Sequence, residues 1–131
     1  MSDFDLLAIS RLGMQLEQQR MDLINTNIAM ANSSSKVGDG YQAQSVSFIQ
    51  ALDSASTLDQ VVSVVNRYND QKLKYDPNHP LANSEGMIEL ANVDLATEMV
   101  DLLKVSRAYE ANVKSYKASL DMAGFALEIG K

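Results

Sequence analysis

The stretch that decides the fold is residues 95–127, LATEMVDLLKVSRAYEANVKSYKASLDMAGFAL, near the carboxyl end of the chain. It contains no proline, and ten of its positions follow one another at alternating steps of four and three residues. A heptad spacing held over this length predicts one long helix over residues 93–127, about 50 Å long, whose apolar seam supercoils around a partner. The seam consists of Leu95, Met99, Leu102, Ser106, Tyr109, Val113, Tyr116, Leu120, Ala123 and Leu127, and only Ser106 is polar.

The opposite side of this helix carries a second line of mostly small residues: Ala111, Ser115, Ala118 and Met122. Small side chains would let the backbone of another helix approach closely. A solvent-exposed face would show the same pattern, since alanine is also the best helix former, and the two interpretations carry equal weight.

The amino-terminal part predicts a second long helix over residues 4–32, with Gly13 as its only glycine and no proline. Its apolar residues follow two separate lines, and the polar arc covers less than half of the circumference. The surface helix of a monomer usually has a narrower apolar face, so we expect this helix to have neighbours on more than one side. The two lines are Leu7, Met14, Met21 and Ile28, and Ile9, Leu16, Leu23 and Met30.

Between the helices, residues 33–91 form a mixed segment that contains both prolines of the chain. Residues 33–40 are a loop by composition, and residues 41–49 alternate between apolar and polar side chains like a short strand. Residues 54–57 are a further break. The β-branched cluster at residues 61–65 favours a strand, although a helical turn would also fit.

These patterns predict a mainly α fold that forms one structural unit. We expect an N-terminal helix within residues 1–32, a loop and short-strand segment at 33–91, and a C-terminal heptad helix within 92–131. The two long terminal helices should pack as a coiled coil beside the small irregular or β middle. Two helices cannot cover all of these apolar arcs for each other, so we expect them to complete their packing between subunits. The predicted interface comprises Leu95, Met99, Leu102, Tyr109, Val113, Tyr116, Leu120 and Leu127, with Leu7, Ile9, Met14, Leu16, Met21, Leu23, Ile28 and Met30 on the first helix.

Composition excludes several other classes of function. The formal net charge is -6 without a basic patch, which disfavours nucleic acid and anionic lipid as partners. There are no cysteines and only one histidine, His79, so no metal site, cofactor site or catalytic centre is predicted. No apolar run is long enough for membrane insertion, and the acidic amino terminus does not resemble a cleaved signal peptide. We expect a structural or solvent role for His79, and a solvated face or an intersubunit salt bridge for Glu98 and Asp101.

Several of these stretches resemble the flagellar axial proteins of bacteria, and most closely the proximal-rod proteins of the basal body, the FlgC type. The resemblance covers about two thirds of the chain. Its most characteristic run is SRAYEANV at residues 106–113, and Met87 and Ala91 stand where the family usually has Tyr and Pro. The other matching stretches are 19–21, 27–32, 40–41, 75–82, 86–87, 91–94 and 98–100, and the motif residues carried over are Glu98, Ser106, Arg107 and Asn112.

The resemblance implies a structural subunit rather than an enzyme. Such subunits pass unfolded through the flagellar type III export gate, without a cleaved signal peptide, and assemble in the periplasm into the rod that transmits torque to the hook. The resemblance implies that the partners of this chain are copies of itself, sister rod subunits and neighbouring basal-body proteins. The alternative from the residues alone is a soluble coiled-coil adaptor or an export chaperone. Limited proteolysis separates the two, because an adaptor should resist it and a rod subunit should lose both ends early.

Overall fold

The computed structural model describes residues 3–48 and 62–130. Within these residues, two long helices flank five short strands along the chain, in the order α1, β1, β2, β3, β4, β5, α2. The break predicted at residues 54–57 and the start of the valine cluster at Val61 lie outside the described residues. The bounds are α1 Asp3–Met30, β1 Ser34–Ser35, β2 Gln44–Phe48, β3 Val62–Asn66, β4 Lys72–Tyr75, β5 Met87–Leu90 and α2 Leu95–Ile129.

The two helices run antiparallel, since Gly13 meets Asn112 near one end of the pair and Asn27 meets Glu98 near the other. Asp94 caps α2, because its carboxylate accepts hydrogen bonds from the Thr97 hydroxyl (2.7 Å) and the Ala96 amide (3.2 Å). The hydrogen bond from the Thr97 hydroxyl, together with those from the backbone amides of Ala96 and Thr97, lowers the pKa of Asp94. The cap fixes where α2 begins and therefore which residues meet α1.

The described residues of the middle segment form two small antiparallel sheets. In one, β5 lies between β1 and β4; in the other, β2 and β3 pair with each other. The strands predicted around residues 41–49 and in the valine cluster are confirmed as β2 and β3. Sequence analysis missed β4 and β5. A turn leads into β5, closed by a hydrogen bond from the Gly86 amide to the Asn83 carbonyl (3.0 Å). At that turn Gly86 has a φ of 74°, a left-handed conformation that glycine adopts without strain.

A small apolar cluster joins the sheets to the helices. Ala43, Ala91 and Val93 are buried in it, and Ala31 and Tyr41 pack against it. The predicted mainly α fold with a small β middle is therefore confirmed at the level of two terminal helices and antiparallel strands. Because this cluster is so small, contacts between α1 and α2 carry much of the fold.

Candidate functional site

The face of α2 that α1 covers follows a heptad, but in a register different from the predicted seam. Val105 and Ser119 are buried and Asn112 touches Gly13, whereas Met99, Leu120 and Leu127 are exposed. At about 100° per residue, the covered face is rotated by about 50° from the predicted seam. We call the covered set the inner seam: Glu98, Leu102, Val105, Tyr109, Asn112, Tyr116, Ser119 and Ala123, all buried or half-buried.

The facing surface of α1 is small and polar at its centre. Ser10 and Glu17 are buried there, and within residues 7–30 Ile24 is the one large apolar side chain among the buried positions. A Cβ added to Gly13 would lie 3.0 Å from the Asn112 amide nitrogen, so the absence of a side chain at Gly13 allows the helices to approach closely. The pair is thus held by close backbone approach and polar contacts more than by large apolar side chains.

Large apolar residues lie beside this polar centre and remain partly open. From Met99 onward, the residues of the predicted seam that lie outside the inner seam are Met99, Ser106, Val113, Leu120 and Leu127, which we call the outer line. Met99 is 51% exposed, Leu120 46% and Leu127 74%, whereas Ser106 and Val113 are half-buried. Leu95 is also exposed.

The two apolar lines predicted on α1 flank its buried centre. Leu7, Met14, Met21 and Ile28 are all half-buried, and Met21 lies close to α2, with its sulfur 4.0 Å from the Ser106 hydroxyl. On the other line, Leu16 and Leu23 are half-buried, and Ile9 and Met30 are exposed. Both helices therefore present apolar surface that the described part of the chain does not fully cover.

At the other end of the helix pair, Asn27 is the centre of a buried hydrogen-bond network. Its side chain is fully buried. The amide nitrogen donates to the Gln44 carbonyl (2.9 Å) and to Glu98 Oε2 (3.0 Å). The amide oxygen accepts from the Tyr41 hydroxyl (2.9 Å) and the Gln44 amide (2.9 Å). All four bonds that an asparagine amide usually makes are therefore satisfied, and they tie α1 to α2 and β2.

Arg67 completes this network from the end of β3. Its guanidinium donates to Glu98 Oε1 (2.9 Å) and to Asp101 Oδ2 (3.2 Å). The prediction of a solvated face or an intersubunit bridge is wrong for Glu98, which is 1% exposed and paired within the chain. A buried carboxylate needs an opposite charge and hydrogen-bond donors, and Arg67 and Asn27 provide them. We call Asn27, Arg67, Glu98 and Asp101 the polar clamp.

Tyr41 contacts this clamp through its hydroxyl, and the pKa of that hydroxyl is shifted. Burial, together with the negative charge of Glu98, raises the pKa of Tyr41 above its ordinary value of 10.0. The hydroxyl therefore stays protonated and donates to Asn27 at neutral pH.

A second buried carboxylate, Glu89 on β5, holds the loop before β2. Its Oε2 accepts from the Gly38 amide at 2.7 Å. A Cβ on Gly40 would collide with the Glu89 side chain, so a larger residue at that position would force the buried carboxylate to move. This contact gives a structural reason for the glycine in the Gly40–Tyr41 motif.

The remaining motif residues separate into two groups. Glu98 and Asn112 lie in the inner seam, whereas Arg107 is exposed and has no ion-pair partner within residues 3–48 and 62–130. His79 has a structural role, since its Nδ1 accepts from the Leu81 amide at 3.2 Å. Sequence reasoning missed Arg67 and Glu89 entirely, and a charged residue within a β-rich stretch was the only available signal.

Metal-ligand clusters and membrane-spanning helices are both absent from the described part of the chain. No group of three His, Cys, Asp or Glu residues lies close enough there to hold an ion. Neither described helix has the length and apolar character to cross a membrane. The features with functional potential are therefore the outward apolar surfaces and the clamp that orients the helices carrying them.

Comparison with known proteins points to one group. The family profile "Flagellar basal body rod FlgEFG protein C-terminal" matches residues 84–129, which include β5 and α2. The chain is 34% identical to a flagellar basal-body rod protein FlgC of Bacillus subtilis over 150 aligned positions that cover 100% of both chains. It is 33% identical to a protein of the same name from Borreliella burgdorferi (96% of each chain) and 31% identical to one from Escherichia coli O157:H7 (100% of each).

Proposed function

Because the chain belongs to the family of flagellar basal-body rod proteins of the FlgC type, a structural and not an enzymatic family, we propose that α1 and α2 are its assembling elements. In this proposal the helices join copies of the chain and sister subunits into the proximal rod, the axial drive shaft that transmits torque. Residues 1–32 and 92–131 form the assembling ends, and residues 33–91 form the smaller middle part. Neighbouring basal-body proteins contact the finished structure.

The observation that carries this proposal is the exposure of the outer line. Met99, Leu120 and Leu127 continue the heptad of α2, yet α1 covers the other side of that heptad. Each large apolar side chain contributes roughly 1.5–3 kcal/mol when fully buried, so three of them favour a further helix along this line. In a supercoiled arrangement between subunits, with the outer line as its seam, the apolar residues on both sides of the heptad are buried.

Different neighbours need different faces, because a helical assembly is built from heterologous contacts that do not close. The outer line of α2 provides one such face. The half-buried line through Leu7 and Met21 and the line through Ile9 and Met30 provide two more on α1. Torque is then resisted by apolar surface distributed along both helices.

The composition of the helix pair also suits export before assembly. Ser10, Glu17, Asn112 and Ser119 occupy positions where a stable two-helix protein would carry leucine. A pair held this way gains less from folding alone, which suits passage of the unfolded chain through the type III export gate. In the periplasm it gains its remaining stability from its neighbours. The absence of cysteine suits that oxidising compartment.

The experiment replaces outer-line residues in cells that lack the native copy. Leu120→Asp and Leu127→Asp should leave the helices of the purified protein intact by circular dichroism, because both side chains are exposed in the single chain. They should nevertheless abolish rod formation and swimming, since a carboxylate cannot be buried in an apolar seam. Leu102 and Val113 are less suitable sites because both are half-buried within the chain.

Lys114→Asp on the same helix is the matched control. Lys114 is exposed and lies outside the outer line, so swimming should persist with this variant. Export into the periplasm, followed by immunoblotting, should be equal for all three variants. If cells carrying Leu120→Asp or Leu127→Asp build motile flagella, the outer line is not an assembly surface.

A further inference from the structure

Beyond the outer line, we propose that the C-terminal end of α2 in one copy docks on a basic-apolar groove near the start of α2 in a second copy. We call the groove the head and the end of the helix the tail. The inference rests on the proposed function and adds which surfaces meet. A head on one chain and a tail on another repeat without closing, so the contact joins chains in series.

The tail extends past the helix that covers the rest of α2. Gly13 lies beside Asn112 and Asn27 beside Glu98, and continuing this antiparallel register places Asp3 level with about residue 122. α2 continues to Ile129. The last turns therefore project by about 10 Å beyond the described part of α1.

The projecting turns are apolar on the side that faces away from the inner seam. Met122, Phe125 and Ile129 follow one another at helical spacing, and Phe125 is 64% exposed and Ile129 86%. Apolar side chains exposed as a contiguous stripe mark an interaction surface more often than scattered ones do. The described part of the chain leaves more than half of each of these three side chains exposed.

The head combines apolar and basic side chains. An open groove of ≈ 210 Å³ on the outward side of α2 is lined by Val100, Leu103, Lys104 and Arg107. Val100 and Leu103 are at least half exposed. Lys104 lies 3.9 Å from Asp101 at an exposed position, so it remains available to a second partner.

Charge selects the tail as the occupant of the head. Asp121 and Glu128 accompany the apolar stripe of the tail, and the last turn of α2 contains no basic residue. The carboxyl end of a helix carries a partial negative charge, which a cation stabilises. Lys104 and Arg107 provide two cations beside an apolar floor, so tail and head match in both charge and hydrophobicity.

Cysteine cross-linking tests this contact directly because the chain has no cysteine of its own. Leu103 and Phe125 are about 33 Å apart along one helix, too far for a disulfide within a chain. A mixture of a Leu103→Cys chain and a Phe125→Cys chain should give a disulfide dimer under mild oxidation. The double variant, carrying both cysteines, should give a ladder of higher oligomers. Val64→Cys, which is exposed on β3, mixed with Phe125→Cys is the control for random collision.

Charge reversal provides the second readout. Lys104→Glu with Arg107→Glu in the Leu103→Cys chain should lower the dimer yield about five- to tenfold at low salt. Asp121→Lys with Glu128→Lys in the Phe125→Cys chain should restore it, because the attraction is then re-established with opposite signs. Loss of folding alone would not be rescued by changes in the other chain.

Yields no higher than the Val64 control would overturn the inference, and so would a charge-reversed pair that is not rescued. Dimers from the double variant without a ladder would overturn the serial arrangement, since they indicate a closed pair. The proposed function is tested separately: if Leu120→Asp abolishes swimming while cross-linking fails, the rod assignment stands and only the head-to-tail contact is wrong.

Discussion

Asn27→Ala is the most informative perturbation of the fold, because this side chain is fully buried and makes four hydrogen bonds. The bonds to Tyr41 and to the Gln44 backbone are each worth about 1 kcal/mol, and the bond to the Glu98 carboxylate about 1.5–3 kcal/mol. Tyr41 and Gln44 are half-buried, so water recovers part of the loss. Alanine also favours the helix by up to about 0.7 kcal/mol.

The net loss should be about 3 kcal/mol of unfolding free energy, a large fraction of the roughly 5–15 kcal/mol typical of a domain. Urea unfolding followed by circular dichroism at 222 nm measures it. The midpoint should fall while the dependence of the unfolding free energy on urea stays unchanged, because the same surface is exposed on unfolding.

Asn25→Ala is the matched control, since Asn25 lies on the same helix and is exposed. It gains the same helix propensity and should therefore stabilise the chain by up to about 0.7 kcal/mol. A loss below about 1 kcal/mol for Asn27→Ala relative to this control would refute the reasoning. The network would then be a consequence of the fold and not one of its supports.

Two further predictions concern the loop that leads into β2 and the tyrosine beside the clamp. Gly40→Ala should destabilise the chain by about 1–3 kcal/mol in the same urea assay, because its Cβ collides with buried Glu89. The control is Gly124→Ala, which has open space around it and should stabilise α2 by up to about 1 kcal/mol. Equal effects of the two substitutions would contradict the packing of the loop against Glu89. The raised pKa of Tyr41 means that the folded state keeps its phenolic proton longer than the unfolded state, so its contribution to stability is fully present below pH 10.0 and is lost as the pH rises through the folded value. Thermal unfolding between pH 8 and 12 should show this loss, and Tyr41→Phe should remove that part of the slope; an identical slope in the variant would refute the assignment to Tyr41.

The burial of Glu98 in the polar clamp could not be predicted from the sequence. Glu98, Asp101 and Lys104 follow one another at steps of three residues, and such a run of charged side chains is the usual pattern of a solvated helix face. The partners of Glu98 are Asn27, 71 residues away, and Arg67, 31 residues away. Contacts over such separations leave no periodic signal in a single sequence.

The two long helices, their approximate bounds and the strands at β2 and β3 follow from the sequence alone, because hydrophobic spacing and turn residues are local properties. The heptad also determined that α2 has a partner along Leu102, Tyr109 and Tyr116, the positions shared by the predicted and the covered faces. Only the tertiary structure decided on which side of that line α1 lies. Gly13 and Asn27 decide it, since one allows close approach opposite Asn112 and the other needs Glu98 to satisfy its buried amide. A hydrophobic pattern specifies that a surface must be covered, whereas steric fit and hydrogen-bond satisfaction specify which neighbour covers it.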